Sequence, residues 1–183
     1  KKNKIIDLLL GAKYPVRSLS TNLADLRAQV AACEKGETEL RNLIKEHGIH
    51  LVKKYTRFVH TNASDMVKNT FNKIKPTSYR YQMDKDIDGN QRKICVSIKT
   101  SQRPKKIIID FNGTSKQTNT NFNAPEPVTR AAVLYAIRIL VGGKIPMNAG
   151  LMENVELILP KKTILSPEYP AAVIAGNVET SQA

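Results

Sequence analysis

Apolar residues recur along the first third of the chain at intervals of three and four. Leu23, Leu26, Val30, Cys33, Leu40 and Ile44 fall on one stripe, interrupted at Glu37, which predicts a helix with one apolar face. Ser20 or Thr21 can cap its start by accepting from a free backbone N–H, and Gly48 can end it in a left-handed conformation. A second helix is expected from about 50 to 75, carrying Val52, Tyr55, Val59, Met66, Thr70 and Ile74, with Pro76 closing it. The short link at Gly48 suggests two neighbouring helices, each covering the apolar face of the other or of a sheet.

From Tyr79 the period changes to two. Ile94, Val96 and Ile98 alternate with Cys95, Ser97 and Lys99, and Ile107-Ile-Ile-Asp-Phe follows. These read as two strands, and the polar link at Pro104 makes an antiparallel pair the expectation. Residues 113–121 have no period and read as an exposed loop. A third helix is expected from about 127 to 141, apolar around most of its circumference and therefore buried on several sides, with Gly142-Gly143 as its stop. Val155, Leu157 and Leu159 alternate as a further strand before Pro160, and 171–175 is a last short apolar run. The fold class is α+β: an N-terminal antiparallel helix pair, then a mostly antiparallel or mixed β-sheet with one buried helix. The 183 residues suit a single domain or a fragment of a larger subunit, helical over 1–76 and β-rich over 77–183.

Composition changes this picture in one respect. The net charge is +13, and it is uneven: residues 1–120 hold 24 Lys/Arg against 11 Asp/Glu, whereas 121–183 hold 5 against 5. A basic front could contact phosphates. The cations are scattered, however, and neither aromatic interleaving nor an RNA-recognition, KH or zinc-finger signature accompanies them. A solvated basic face is the preferred reading, with a nucleic-acid-binding or scaffold module as the alternative. No apolar run is long enough to span a bilayer. Cys33 and Cys95 are read as buried structural thiols in a reducing, cytoplasmic compartment.

Few residues suggest chemistry. Asp84-Lys-Asp86-Ile-Asp88-Gly89 opens like a calcium loop, but the ninth and twelfth positions are Arg92 and Cys95, so a tight turn is the better reading. His47, His50 and His60 have no acidic partner at ligand spacing and are read as surface histidines. Asp110-Phe-Asn112-Gly-Thr114 concentrates a carboxylate, an amide and a hydroxyl at a strand end. Such a loop can hold a polar ligand or close as a side-chain-capped turn.

Five segments carry a resemblance. Asp110-Phe-x-Gly-Thr, Asn123-Ala-Pro, Thr129-Arg130-Ala131-Ala132, Asn148-Ala149-Gly150 and Gly176-Asn-Val-Glu-Thr-Ser-Gln182 resemble, in order and spacing, blocks of the B subunit of the N-methylhydantoinase and 5-oxoprolinase family. Asp25-Leu-Arg-Ala-Gln29 with Ala31-Ala32 and Gly36 resembles its opening helix. The chain starts at Lys1 without Met and stops one residue past the last block, so it is read as a piece of a longer subunit. The resemblance implies an ATP-dependent hydrolase that opens a cyclic amide, a hydantoin or 5-oxoproline, together with an ATP-binding A subunit. Phosphorylating the amide oxygen would make the ring carbon electrophilic. It implies no cofactor in this piece, but ATP through the partner and a divalent metal in the complete enzyme. The His and Asp residues that hold a metal in carboxylating relatives are expected upstream of Lys1. The partners expected are the A-type subunit or domain and a small cyclic amide, with neither nucleic acid nor membrane. No catalytic residue is assigned. The substrate-binding candidates on the matching blocks are Asp110, Asn112, Thr114, Asn123, Asn148, Asn177, Glu179 and Thr180. The Asp110–Thr114 turn and the 177–182 segment are expected to meet, if the strands before them share one sheet.

Overall fold

The computed structural model describes residues 2–103, 105–143, 145 and 147–183, with side chains for all of these except 2, 3 and 72. Lys1 and Pro104, which enter the sequence reading, lie outside the described residues. The chain forms two compact units, Lys1–Thr56 and Arg57–Ala183.

The first unit holds helix α1 (Lys2–Leu10), helix α2 (Leu19–His47) and the start of helix α3 (Ile49–Thr70). The sequence reading did not include α1. Ser18 rather than Ser20 flanks the start of α2, and its carbonyl accepts from Asn22 Nδ2 at 2.7 Å. Gly48 ends α2 at φ +78°, with its N–H on the Ile44 carbonyl at 2.8 Å, the left-handed exit that glycine makes without steric cost. The apolar stripe of α2 forms as the spacing predicts, yet no residue of this helix is buried: Leu26 is 41% exposed and Val30 58%. Cys33 is exposed with it, contrary to the buried thiol expected there. Helical period reports which residues share a face, not what covers that face.

In the second unit, α3 ends in a 3-10 turn, Phe71–Lys73, before Pro76. Strands β1 (Thr77–Lys85), β2 (Gln91–Gln102), β3 (Lys105–Asp110) and β4 (Val155–Ile158) form one sheet in that order. The first three are antiparallel neighbours and β4 runs parallel to β3, so the sheet is mixed. A parallel neighbour needs a crossover, which helix α4 (Glu126–Val141) supplies. The Asp84–Gly89 segment is the β1–β2 hairpin turn: Gly89 has φ +76° and donates to the Asp86 carbonyl at 2.8 Å, while Asp88 Oδ1 accepts from Asn90 N at 2.9 Å. Hydrogen bonds from Asn90 and then Arg92 hold the Asp88 carboxyl below its ordinary range.

Strand pleat sends alternate side chains to opposite faces. Ile94, Ile107 and Ile109 face the core with Val133 and Ile137 of α4, Val67 of α3 and the loop residues Ile164 and Leu165. This is the inner face. Only one stripe of α4 is buried (Thr129, Val133 and Ile137), and Tyr135 and Ile139 are exposed. The expectation of burial on several sides is therefore corrected, because a sheet covers only one side of a helix. Gly142 stops α4 at φ +66°. Helix α5 (Ala175–Gln182) closes the chain. Val173 makes only isolated bridges, to Phe122 and Asn123, so the strand-like run at 173–175, expected to precede the 177–182 segment, is not part of the sheet.

Candidate functional site

The candidate site gathers at the end of the sheet where β3 finishes, β2 begins and β1 turns. Asp110 lies across the ladder from Ser97. Its Oδ1 accepts from both Asn112 N (2.8 Å) and Asn112 Nδ2 (2.7 Å). Gly113 takes φ +90°, and Thr114 is buried, its Oγ1 accepting from Cys95 N at 3.1 Å and donating to the Cys95 carbonyl at 3.2 Å. The loop is a side-chain-capped turn stitched to β2, in which Asn112 is exposed.

Asn123 is fully buried. Its Oδ1 accepts from Thr118 N at 2.9 Å, and its Nδ2 donates to the carbonyls of Thr118 (3.1 Å), Thr120 (3.0 Å) and Ala172 (2.8 Å). One amide thus fastens the 118–123 loop to the segment leading into α5, which satisfies backbone groups that no strand pairs. Asn148 works similarly at a 3-10 turn, Ala149–Met152: its Oδ1 accepts from Gly150 N at 2.8 Å and its Nδ2 donates to the Val59 carbonyl at 3.3 Å.

Two buried carboxylates lie near these loops. Glu179 of α5 accepts from Asp84 N at 3.1 Å through Oε2. Asp86 accepts from Thr120 Oγ1 and, at 2.6 Å, from Ile87 N. Sequence reasoning took Asp86 only as a turn residue. The signal for its burial, a hydroxyl 34 positions away in a loop without period, is not local. Thr180 Oγ1 donates to the Gly176 carbonyl at 2.6 Å within α5. Asn177 Oδ1 is buried and has no hydrogen-bond partner among the described residues, a situation that costs roughly 1–3 kcal/mol unless a donor arrives.

Beside α5, on the inner face, an apolar cavity of about 220 Å³ is lined by Tyr81, Val96, Phe111, Ala132, Thr180 and neighbouring residues. Burial, then the Glu179 and Asp84 carboxylates, raise the Tyr81 phenol above its ordinary value. The cavity joins the two segments expected to meet, through Phe111 and Thr180. It does not join all the candidates. Pleat puts Asp110 on the opposite face of the sheet, and Asn148 is tied to α3. Among the described residues, no three His, Cys, Asp or Glu side chains are placed to hold a metal ion, and no glycine-rich phosphate loop is present. The divalent metal of the resemblance therefore has no fitting cluster among the described residues.

Comparison with known proteins decides the family. The hydantoinase B/oxoprolinase family model matches residues 1–183. The chain belongs to that family. It is 40% identical over 179 residues to the 5-oxoprolinase of Saccharomyces cerevisiae, a match covering 93% of the chain and 14% of that protein. It is 35% identical to 5-oxoprolinase 1 of Arabidopsis thaliana, over 91% of the chain and 14% of that protein. Among solved structures, the ATP-dependent caprolactamase from Pseudomonas jessenii shares the fold at TM-score 0.70 and 18% identity, covering 99% of the chain and 32% of that one. The chain thus spans about one seventh of the length of these 5-oxoprolinases. No helix among the described residues is long and apolar enough to cross a membrane.

Proposed function

We propose that the chain is a section of the B component of an ATP-dependent cyclic-amide hydrolase, working in the cytoplasm with an ATP-binding A-type subunit or domain. The observation that carries this reading is the family match over the whole chain, together with relatives named 5-oxoprolinases. Within the section, the cavity wall suits a small ring: apolar side chains for its methylene edge and Thr180 at its border, with the orphan Asn177 Oδ1, one helical turn before Thr180 in α5, as the acceptor we assign to an amide N–H. In this reading Asn177 and Thr180 face substrate, Glu179 orients α5, and Asp110, Thr114, Asn123 and Asn148 hold the loops in place. Phosphorylation of the amide oxygen belongs to the partner, so 1–183 alone turns over neither 5-oxoproline nor a hydantoin.

The test uses the complete enzyme with its A-type component and follows ADP release and ring opening for 5-oxoproline and for hydantoin. Asn177→Ala is expected to lower kcat/KM by up to about tenfold, the worth of one hydrogen bond, with Tm nearly unchanged. Ring opening by the complete enzyme without ATP, or by 1–183 alone, would sink the reading.

A further inference from the structure

The outer face of the sheet, opposite α4, holds a second feature. Ser78, Arg80, Cys95, Ser97 and Asn112 line an open groove of about 410 Å³. The ladder explains the grouping: Ser78 stands across from Ser97, and Arg80 across from Cys95. Directly opposed residues on one face are roughly 5 Å apart at Cβ, so two hydroxyls, a guanidinium and, from the Asp110–Thr114 turn, a primary amide border one space. Arg80 is exposed and makes no salt bridge among the described residues. Lys93 and Lys99 fall on the same face by pleat, two positions either side of Cys95 and Ser97. Of the carboxylates on this face, Glu156 pairs with Lys106 at 3.4 Å, and Asp110 stands at the groove's edge, across the ladder from Ser97, its Oδ1 accepting from the two Asn112 N–H groups; Arg80, Lys93 and Lys99 outnumber it on the face.

We propose that this groove is an oxyanion site, taking the phosphate or carboxylate group of a ligand. An arginine fork matches either group with two parallel hydrogen bonds, and the serine hydroxyls can donate to the remaining oxygens. The site is separate from the apolar cavity, which opens on the inner face of the same strands, and it does not depend on ring opening.

Cys95, in the groove wall, reports occupancy. The experiment alkylates the protein with iodoacetamide, a neutral reagent, and follows Cys95 and Cys33 separately by peptide mass spectrometry. Inorganic phosphate, acetate and chloride are compared at matched ionic strength. With the anion at several times its dissociation constant, Cys95 alkylation should slow about fivefold by mass action, while Cys33 keeps its rate. Stronger protection by phosphate assigns a phosphate group, and stronger protection by acetate a carboxylate. Arg80→Gln, on an exposed edge-strand position, should abolish the protection, and Ser97→Ala should weaken it. No protection by either anion, equal protection by chloride, or full protection in Arg80→Gln would overturn the proposal.

Discussion

Gly176 owes its identity to Asn123. A Cβ at this glycine would stand 2.4 Å from the Asn123 carbonyl carbon and 2.8 Å from Ala124 N, distances no relaxed side chain tolerates. Asn123 in turn holds four backbone groups from the buried side. Gly176→Ala should force α5 away from that backbone at a cost of about 1–3 kcal/mol. Asn123→Ala should cost about 2–4 kcal/mol by leaving buried polar groups unmatched. Urea titrations of both variants check this, and a loss under about 0.5 kcal/mol in either would contradict the clamp. Both residues stood out in the sequence, but as parts of ligand-binding blocks. An asparagine amide can meet a ligand or a carbonyl with the same atoms, and only the fold shows which partner lies opposite.

At the scale of elements, period predicted type well and burial poorly. The stripe on α2 and the alternation in β2 are both local patterns, and both elements formed. What covers a stripe is not local. Leu26 and Leu151 make the contrast measurable, the first 41% exposed and the second fully buried. Leu151→Ala should cost about 2–5 kcal/mol, transfer plus cavity, whereas Leu26→Ala should cost less than about 1 kcal/mol, the range of an exposed substitution. Equal losses in denaturant titrations would show that the α2 stripe is covered in solution. α5 escaped the sequence reading for a related reason. Its residues, Ala175–Gln182, carry almost no apolar period, and its buried positions, Gly176, Glu179 and Thr180, are held by hydrogen bonds and close backbone approach.

For the molecule as a whole, every buried apolar residue described lies between Ala63 and Leu165, inside the unit Arg57–Ala183. That unit should be able to fold by itself. Residues 57–183 are expected to unfold in one cooperative transition, with Tm within about 5 °C of the full chain, followed by circular dichroism and calorimetry. A non-cooperative melt would mean that residues 1–56 supply core contacts.

The sequence by itself determined the α+β class, the long helices, the alternating strands, the hairpin turn at Asp84–Gly89 and, through its short blocks, the family. Each rests on neighbours a few positions apart or on residue identities read directly. Tertiary structure decided that β4 pairs in parallel with β3, that Asp86 and Glu179 are buried, and that Asp110 and Thr180 end on opposite faces of one sheet. It also decided that Ser78, Arg80, Ser97 and Asn112 share a groove. These follow from strand register and from loops closing over 19 to 95 positions. No local period encodes such closures, because the chain entropy they cost is offset only when the whole core assembles.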